Sequence, residues 1–223
     1  GPRSRDILAA LTDADVSNSA LPFLSCQNMN VGMTEAVVAR ISLTGELGFE
    51  ISVPAIQQRC LWSALSTAGE PFGLRQIGLR ALDSLRFEKA YGSWSTEFAQ
   101  CYTPGMSGLD RFIAFDKGDF IGRDAAILEQ ETGPSQQLVL LEIEATDADA
   151  AGYEPIWVAG RRVGFVTSGG YGHHVGMSLA LAYIEREVLE SKAQLSVHLV
   201  GEERAAHVLA QPPYDPAGQH LRS

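Results

Sequence analysis

In Arg40-Ile41-Ser42-Leu43-Thr44-Gly45-Glu46-Leu47-Gly48-Phe49-Glu50-Ile51-Ser52-Val53-Pro54, two strand-like segments flank a turn that contains two glycines. The first predicted strand covers residues 36–43 and the second covers residues 49–53. On the second strand, Glu50 and Ser52 share one face and apolar residues share the other. A carboxylate buried there needs a partner, and a heterocycle with adjacent N–H and NH₂ donors satisfies it with two parallel hydrogen bonds. On the residues alone, an edge strand with Glu50 in solvent is the simpler interpretation.

Helical patterns follow this hairpin. Pro54 opens a predicted helix that Gly69 ends, and a short helix is predicted between Gly122 and Gly133. A further helix is predicted over residues 78–90. We expect its buried face to carry three leucines: Leu79, Leu82 and Leu85.

After Pro134 the pattern changes to short strands separated by tight turns. Many short strands without a long helix favour a small antiparallel barrel. We therefore predict an α+β chain, with a mixed α/β domain over residues 1–133 and a β-barrel over residues 134–223. The glycine-rich run 169–172 could cradle a phosphate, but no helix follows it, so we interpret it as a barrel turn. The predicted strands are Leu138–Ile143, Pro155–Val158, Arg162–Val166, Leu179–Ile184, Leu195–Val200 and Ala205–Leu209.

Composition restricts the function classes. The chain has 17 basic and 27 acidic residues in 223, a net charge of −10, which disfavours nucleic acid and anionic membranes as partners. No apolar run reaches membrane-spanning length. Three widely spaced cysteines suggest neither a disulfide framework nor a zinc site, and favour a reducing compartment. His173-His174 lacks a third ligand at a suitable spacing, so no metal site is predicted.

The stretch over residues 40–54 resembles the signature of the aminomethyltransferase folate-binding domain, which the glycine-cleavage aminomethyltransferase shares with dimethylglycine and sarcosine dehydrogenases. The dehydrogenase-attached version is the more similar one. Further motifs occur in the same order, and the resemblance covers essentially the whole chain. These motifs are Ala81-Leu82-Asp83-Ser84-Leu85-Arg86-Phe87-Glu88-Lys89-Ala90-Tyr91, Asp119-Phe120-Ile121-Gly122-Arg123-Asp124-Ala125, Glu154-Pro155-Ile156, Thr167-Ser168-Gly169-Gly170-Tyr171-Gly172, Leu179-Ala180-Leu181-Ala182-Tyr183 and Tyr214-Asp215-Pro216.

The resemblance implies the remainder of a mixed α/β folate-binding domain followed by the family's C-terminal barrel. It implies tetrahydrofolate as cofactor and capture of a one-carbon unit from an N-methylated glycine, giving methylene-tetrahydrofolate. The partners implied are folate, a small N-methylated amine or amino acid, and an FAD-containing dehydrogenase domain. No dinucleotide fingerprint is present, so FAD is expected only in a separate domain.

The resemblance also implies a set of cofactor-binding residues. Glu50 matches the glutamate that holds the pterin ring, and Arg86 is a candidate for the glutamyl tail of the folate. Glu46, Tyr91 and Trp94 are expected near the pocket. The family's catalytic aspartate is expected upstream of Gly1, so no catalytic residue is assigned. We therefore expect the 223-residue chain by itself to bind folate weakly and to be inactive.

Two departures and two alternatives remain. Leu82 replaces an arginine that contributes to folate binding in glycine-cleavage enzymes, and Met106 replaces a glutamate that usually follows Thr-Pro. One alternative is a folate-dependent methyltransferase resembling dimethylsulfoniopropionate demethylase. The other is a non-catalytic relative, resembling the regulatory subunit of pyruvate dehydrogenase phosphatase. Bacterial cytoplasm and mitochondrial matrix are both compatible with the sequence.

Overall fold

The computed structural model describes residues 1–223 and divides into two compact units. The first unit comprises Gly1–Leu82 with Asp215–Ser223, and the second comprises Asp83–Tyr214. Helices and sheets are mixed, and the second unit contains a closed six-stranded antiparallel barrel, as predicted. The domain boundary after Gly133 stays a prediction. No helix is long and apolar enough to cross a lipid bilayer.

A three-stranded antiparallel sheet organises the first unit, in the order β1–β2–β3. Side chains alternate between its two faces, so one face is buried against helices and the other is exposed. The buried cluster consists of Leu8, Val16, Leu21, Met29, Val31, Ala36, Val38 and Leu61. The elements are α1 (Ser4–Ala9), β1 (Cys26–Val31), β2 (Thr34–Ala39), β3 (Glu50–Ser52) and α2 (Gln58–Gly69), with 3-10 turns over Ala55–Gln57 and Glu70–Phe72.

The hairpin predicted from residues 36–53 has shorter strands than expected. Strand β2 ends at Ala39 rather than Leu43, and β3 has three residues. Residues 40–49 form an irregular, bent connection between them, and Gly45 within this segment has φ +73°. The β-branched and apolar residues at 41–43 have strand propensity, but the path of the chain around the turn removes their pairing partner.

Helix α3 (Leu79–Phe87) lies where a helix was predicted, but its predicted buried face was wrong. Leu79 is 79% exposed, whereas Ser84, Arg86 and Phe87 are buried. The Ser84 hydroxyl donates a hydrogen bond of 2.7 Å to the carbonyl oxygen of Tyr171. Contacts with a distant strand therefore select the buried face, and the apolar periodicity of the helix does not.

The barrel has the closed strand order β4–β7–β6–β5–β8–β9, and every pairing is antiparallel. All six strands were predicted from sequence, with differences at their ends. Aliphatic side chains fill its interior, including Leu141, Ile156, Val166 and Ile184. The strands are β4 (Gln136–Ile143), β5 (Pro155–Val158), β6 (Arg161–Gly172), β7 (Met177–Glu185), β8 (Leu195–Leu199) and β9 (Glu202–Leu209).

Strand β6 corrects the prediction of a barrel turn at the glycine-rich run. Residues Ser168, Gly169 and Gly170 lie inside β6 and pair with β7. A register shift between Val166 and Ser168 precedes this part of the strand. Glycine and serine suggest a turn by local preference, but here a bulge and close packing require small residues inside a long strand.

Four further helices complete the chain. The helix predicted after Gly122 is confirmed as α5, and Gly122 and Gly133 flank it with φ of +87° and +78°. Helix α6 was not predicted, because its six residues are too few to establish a helical period. The ranges are α4 (Pro104–Ser107), α5 (Arg123–Thr132), α6 (Arg186–Ser191) and α7 (Gln219–Arg222), with a 3-10 turn over Asp110–Phe112.

Candidate functional site

Residues 44–48 of the signature stretch, here called the signature turn, lie in the first unit. Their backbone has the geometry that the two glycines require. Gly45 adopts φ +73°, a left-handed conformation that favours glycine. A Cβ added at Gly48 would lie 3.3 Å from the carbonyl oxygen of Ile41, so the backbone approaches closely there. Leu47 between them is buried. The turn thus anchors one apolar side chain and leads directly into β3.

Glu50 is the first residue of β3 and pairs with Ala39 of β2. Its side chain is exposed, and its carboxylate makes no hydrogen bond or ion pair within the chain. Ser52 lies on the same face, opposite Val37, which is 44% exposed. A cavity of about 340 Å³ between β3 and α2 is lined by Ser52 but not by Glu50. The pterin role of Glu50 stays a prediction.

Glu46, in the turn, is more enclosed than Glu50. Its side chain is 17% exposed, and Oε2 lies 3.7 Å from Nδ1 of His220 in α7. This pair joins the turn to the C-terminal helix within the first unit when His220 is protonated. Glu46 and Glu50 therefore lie in the same unit but have different surroundings.

Arg40, the first residue of the signature, is a buried anchor that sequence reasoning did not single out. Its guanidinium is 1% exposed and donates hydrogen bonds to Oδ1 of Asn18 at 2.9 Å and to the carbonyl oxygen of Leu221 at 3.0 Å. Burial lowers the pKa of Arg40, and the neighbouring positive charge of Arg5 lowers it further. Arg40 thus joins the end of β2 to the C-terminal segment.

Arg86, in the second unit, is buried rather than presented to solvent. Its guanidinium donates to Oδ1 of Asp83 at 2.7 Å and to the carbonyl oxygen of Tyr91 at 3.1 Å. A third contact, of 3.4 Å, joins it to Oε2 of Glu97. These groups already accept hydrogen bonds from the guanidinium. The expected contact of Arg86 with the glutamyl tail of the folate stays a prediction.

The structure brings two of the predicted residues together, since Arg86 and Tyr91 share two hydrogen bonds. Tyr91 is half-buried, and its N–H donates to the carbonyl oxygen of Arg86 at 2.9 Å. Trp94, three residues later, is 75% exposed. Hydrogen bonds therefore fix the start of the segment after α3, and the indole ring of Trp94 further along the segment is exposed.

Glu97 is the residue that sequence reasoning missed. Its carboxylate is fully buried, at 0% exposure, and accepts hydrogen bonds from Ser168 Oγ at 2.5 Å, Ser93 N–H at 2.7 Å and Thr96 Oγ1 at 2.7 Å. Its backbone carbonyl accepts a further bond of 2.7 Å from the Tyr183 hydroxyl. Serines and threonines around a glutamate suggest a solvated loop, so no local signal indicated this network.

Burial by itself raises the pKa of Glu97, but hydrogen bonds from Ser168, Ser93 and Thr96 outweigh burial and lower the pKa overall. Burial likewise raises the pKa of the Tyr183 phenol to about 12. Both groups therefore keep their neutral-pH charge states, with Glu97 ionised and Tyr183 protonated. The network is organised around a single buried anion.

This pKa shift predicts acid sensitivity. A carboxyl whose folded pKa is depressed stabilises the fold fully above its unfolded pKa of about 4.3, and this contribution is lost as the pH falls through the folded pKa. We expect the free energy of unfolding, measured by urea titration between pH 7 and pH 2.5, to fall more steeply for the wild type than for Glu97→Gln. Parallel curves for the two proteins would contradict the lowered pKa.

The glycines of β6 are explained by close packing and not by phosphate binding. A Cβ at Gly170 would lie 3.2 Å from Cε2 of Phe87, and a Cβ at Gly172 would lie 3.0 Å from Cγ of Glu88. The Glu88 carboxylate accepts a hydrogen bond of 2.7 Å from the N–H of His174. The end of α3 and the residues after it thus pack against this strand.

The structure gives an account of Met106. Thr103 caps α4, and its Oγ1 accepts a hydrogen bond of 3.2 Å from the Met106 N–H. A glutamate at position 106 would complete a capping box, which methionine cannot do. In this chain the carboxylate of Glu129 in α5 lies at the same helix end and accepts a bond of 3.2 Å from the Gly105 N–H. For Leu82, which is half-buried, the structure provides no comparable replacement.

Comparisons with known proteins agree with this architecture. Residues 1–117 match the model of the GCVT N-terminal domain, and residues 136–215 match that of the glycine cleavage T-protein C-terminal barrel domain. The mitochondrial dimethylglycine dehydrogenase of Mus musculus is 35% identical over 213 residues, which are 95% of this chain and 24% of that protein. The aminomethyltransferase of Caldanaerobacter subterraneus subsp. tengcongensis is 34% identical over 197 residues, 88% of this chain and 52% of that protein.

A solved structure is also similar. The crystal structure of glycine cleavage system aminomethyltransferase T from Bartonella henselae superposes with a TM-score of 0.80 at 25% identity, covering 95% of this chain and 57% of that one. The chain thus spans about half the length of the aminomethyltransferases that it matches. Since the family models together cover both units, the chain belongs to the glycine cleavage T-protein family of aminomethyltransferases and includes that family's C-terminal barrel domain.

Proposed function

We propose that this chain is the tetrahydrofolate-binding part of a one-carbon transfer enzyme that takes its one-carbon unit from an N-methylated glycine and forms methylene-tetrahydrofolate. The observation that carries the proposal is Glu50, an exposed carboxylate without an internal partner, placed on β3 by the signature turn. Membership of the aminomethyltransferase family supports it.

The residues around Glu50 fit a pterin ring. The two carboxylate oxygens can accept parallel hydrogen bonds from the adjacent N–H and NH₂ of the heterocycle. Across the strands, Val37 offers exposed apolar surface to a ring face, and Ser52 adds a hydroxyl on the same side of the sheet. One carboxylate beside one apolar platform suits a flat, polar-edged ligand.

When bound, tetrahydrofolate supplies the nucleophilic nitrogen that receives the one-carbon unit. The contribution of this chain is to hold and orient the ring through Glu50, so that the nitrogen and the one-carbon unit meet at high effective concentration. A reactive one-carbon electrophile is hydrolysed by water, so an acceptor held close to it gives capture an advantage over hydrolysis.

We place the chain in the dehydrogenase branch of the family. Its similarity to a dimethylglycine dehydrogenase supports this assignment, and Leu82, where glycine-cleavage enzymes carry arginine, agrees with it. In this proposal a separate domain holds FAD and oxidises the methylated amine, and the folate part receives the product. Bacterial cytoplasm and mitochondrial matrix are both compatible with this proposal.

Replacing Glu50 tests the proposal. We expect Glu50→Ala, in the protein that contains this chain, to raise the Kd for tetrahydrofolate at least about 30-fold, because two charge-assisted hydrogen bonds are lost. Calorimetric titration measures the affinity, and formation of methylene-tetrahydrofolate from dimethylglycine or sarcosine measures transfer. The 223-residue chain alone is expected to bind tetrahydrofolate weakly and to form no product.

Glu35→Ala is the matched control. Glu35 is exposed on the same face of β2, about 13 Å along the strand from the residue that pairs with Glu50, and its replacement removes the same charge. We expect its Kd for tetrahydrofolate to stay within about two-fold of the wild type. Equal effects of the two substitutions, or an unchanged Kd in Glu50→Ala, would overturn the assignment of the pterin to Glu50.

A further inference from the structure

The barrel in the second unit has an opening in its wall. Strand β4 pairs with β9 only from Leu140 to Ile143, so the preceding half of β4 is hydrogen-bonded on one side only, to β7. Helix α6 and the segment that joins it to β8 lie beside this gap. The resulting cavity has a volume of about 640 Å³, within the range of small-molecule sites.

Most of the cavity wall is apolar. Its lining includes side chains that belong to the barrel core or pack against it, so a ligand here would contact the interior of the barrel and not merely its surface. An apolar body placed in this cavity would be removed from water. The apolar lining residues that carry the argument are Val139, Val188, Leu189, Leu195 and Ala206.

The polar part of the lining carries one positive charge. Lys192 is the one lining residue with a fixed charge, and it makes no ion pair within the chain. His207 also lines the cavity, with Nε2 2.7 Å from Oε1 of Glu144. The amides of Gln137 and Gln194 supply further hydrogen-bonding groups. In a chain of net charge −10, an unpaired lysine beside an apolar cavity is complementary to an anion.

The turn that ends α6 fixes the backbone of Lys192, whose side chain is exposed. Lys192 adopts φ +53° at the end of α6, and its N–H donates to the carbonyl oxygen of Leu189 at 3.2 Å. A non-glycine residue in the left-handed region is uncommon and is maintained by its surroundings. The turn thus fixes the backbone of the lysine at the cavity rim.

We propose that this cavity binds a small organic monocarboxylate with an apolar body, the carboxylate pairing with Lys192 and the body filling the space between α6, β4 and β8. The site is separate from the residues assigned to folate, because none of them lines the cavity. The proposed ligand site therefore does not depend on the proposed one-carbon transfer.

Octanoate is a suitable probe for the 223-residue chain. In ¹H–¹⁵N NMR titration we expect saturable shifts at the amides of Lys192, Ala193, Leu195 and Val208, with small shifts elsewhere. Lys192→Gln should raise the Kd for octanoate about five-fold, because a partly exposed ion pair is lost. The same substitution should leave the Kd for the uncharged 1-octanol within about two-fold. Ala193→Trp, which fills the cavity, should abolish binding of both probes.

Lys117→Gln removes the same charge outside the cavity and should leave both affinities unchanged. Circular dichroism and the dispersion of the NMR spectrum establish that each variant is folded. Absence of saturable octanoate shifts in the wild type would overturn the site. An equal response of Lys192→Gln and Lys117→Gln would overturn the assignment of the carboxylate to Lys192.

Discussion

Replacement of Glu97 by alanine is expected to lower the free energy of unfolding of the second unit by about 4 kcal/mol. The substitution leaves Arg86 buried at 7% exposure with one acidic partner fewer. It also removes the acceptor of Ser93 N–H and of the Ser168 hydroxyl, and buried donors without acceptors are costly. Glu97→Gln retains the shape and one acceptor oxygen, so we expect it to lose about half as much.

Urea unfolding followed by circular dichroism measures the change. Hydrogen exchange locates it, because the amide of Ser93 should lose protection in Glu97→Ala before the amides of β7. Glu131→Ala is the control, since Glu131 is an exposed glutamate on α5 and its removal should change stability by less than about 0.5 kcal/mol. A loss in Glu97→Ala no greater than that of the control would show that the network does not stabilise the unit.

Gly164→Ala is expected to destabilise the barrel by about 3 kcal/mol. Gly164 pairs with Ile156 of β5 on one side and with Ile184 of β7 on the other. An added Cβ would lie 2.2 Å from the carbonyl oxygen of Tyr183 and 3.0 Å from Cα of Ile184. Both obstacles are backbone atoms, so relief requires a shift of the strands themselves.

Thermal and urea unfolding of the variant test this expectation. Gly78→Ala is the matched control, because a Cβ at Gly78 meets no atom within 4 Å, and we expect a change below about 1 kcal/mol there. If Gly164→Ala unfolds at the wild-type midpoint, the close approach of β6 and β7 does not constrain position 164.

The barrel was predictable because its signal is local. A short apolar run such as Leu179–Ile184, bounded by turn residues, is typical of a strand that is buried on both faces, as β7 is. The same local reasoning failed for α3, where leucine spacing selected the wrong face. It also failed for the run at Ser168, where small residues suggested a turn but lie inside a strand.

For the candidate site, the sequence placed Glu50 on a strand after a two-glycine turn, and the structure agrees. The burial of Arg86 and Glu97 could not be derived in this way. A charged residue on a helix or in a serine-rich loop is normally solvated. Only hydrogen-bond partners distant in sequence compensate for the free-energy cost of burying its charge. Ser168, 71 residues after Glu97, is such a partner.

The sequence by itself determined the strands of the barrel, the helices after Pro54 and Gly122, and the membership in a folate-binding family through short motifs in a constant order. The tertiary structure alone decided which charges are buried, which face of α3 packs, and where the barrel wall opens. The physical reason is the distance along the chain over which each interaction acts. Periodicity and turn chemistry act over a few residues, whereas burial of Glu97, close approach at Gly164 and the cavity beside Lys192 depend on segments that meet only in the folded chain.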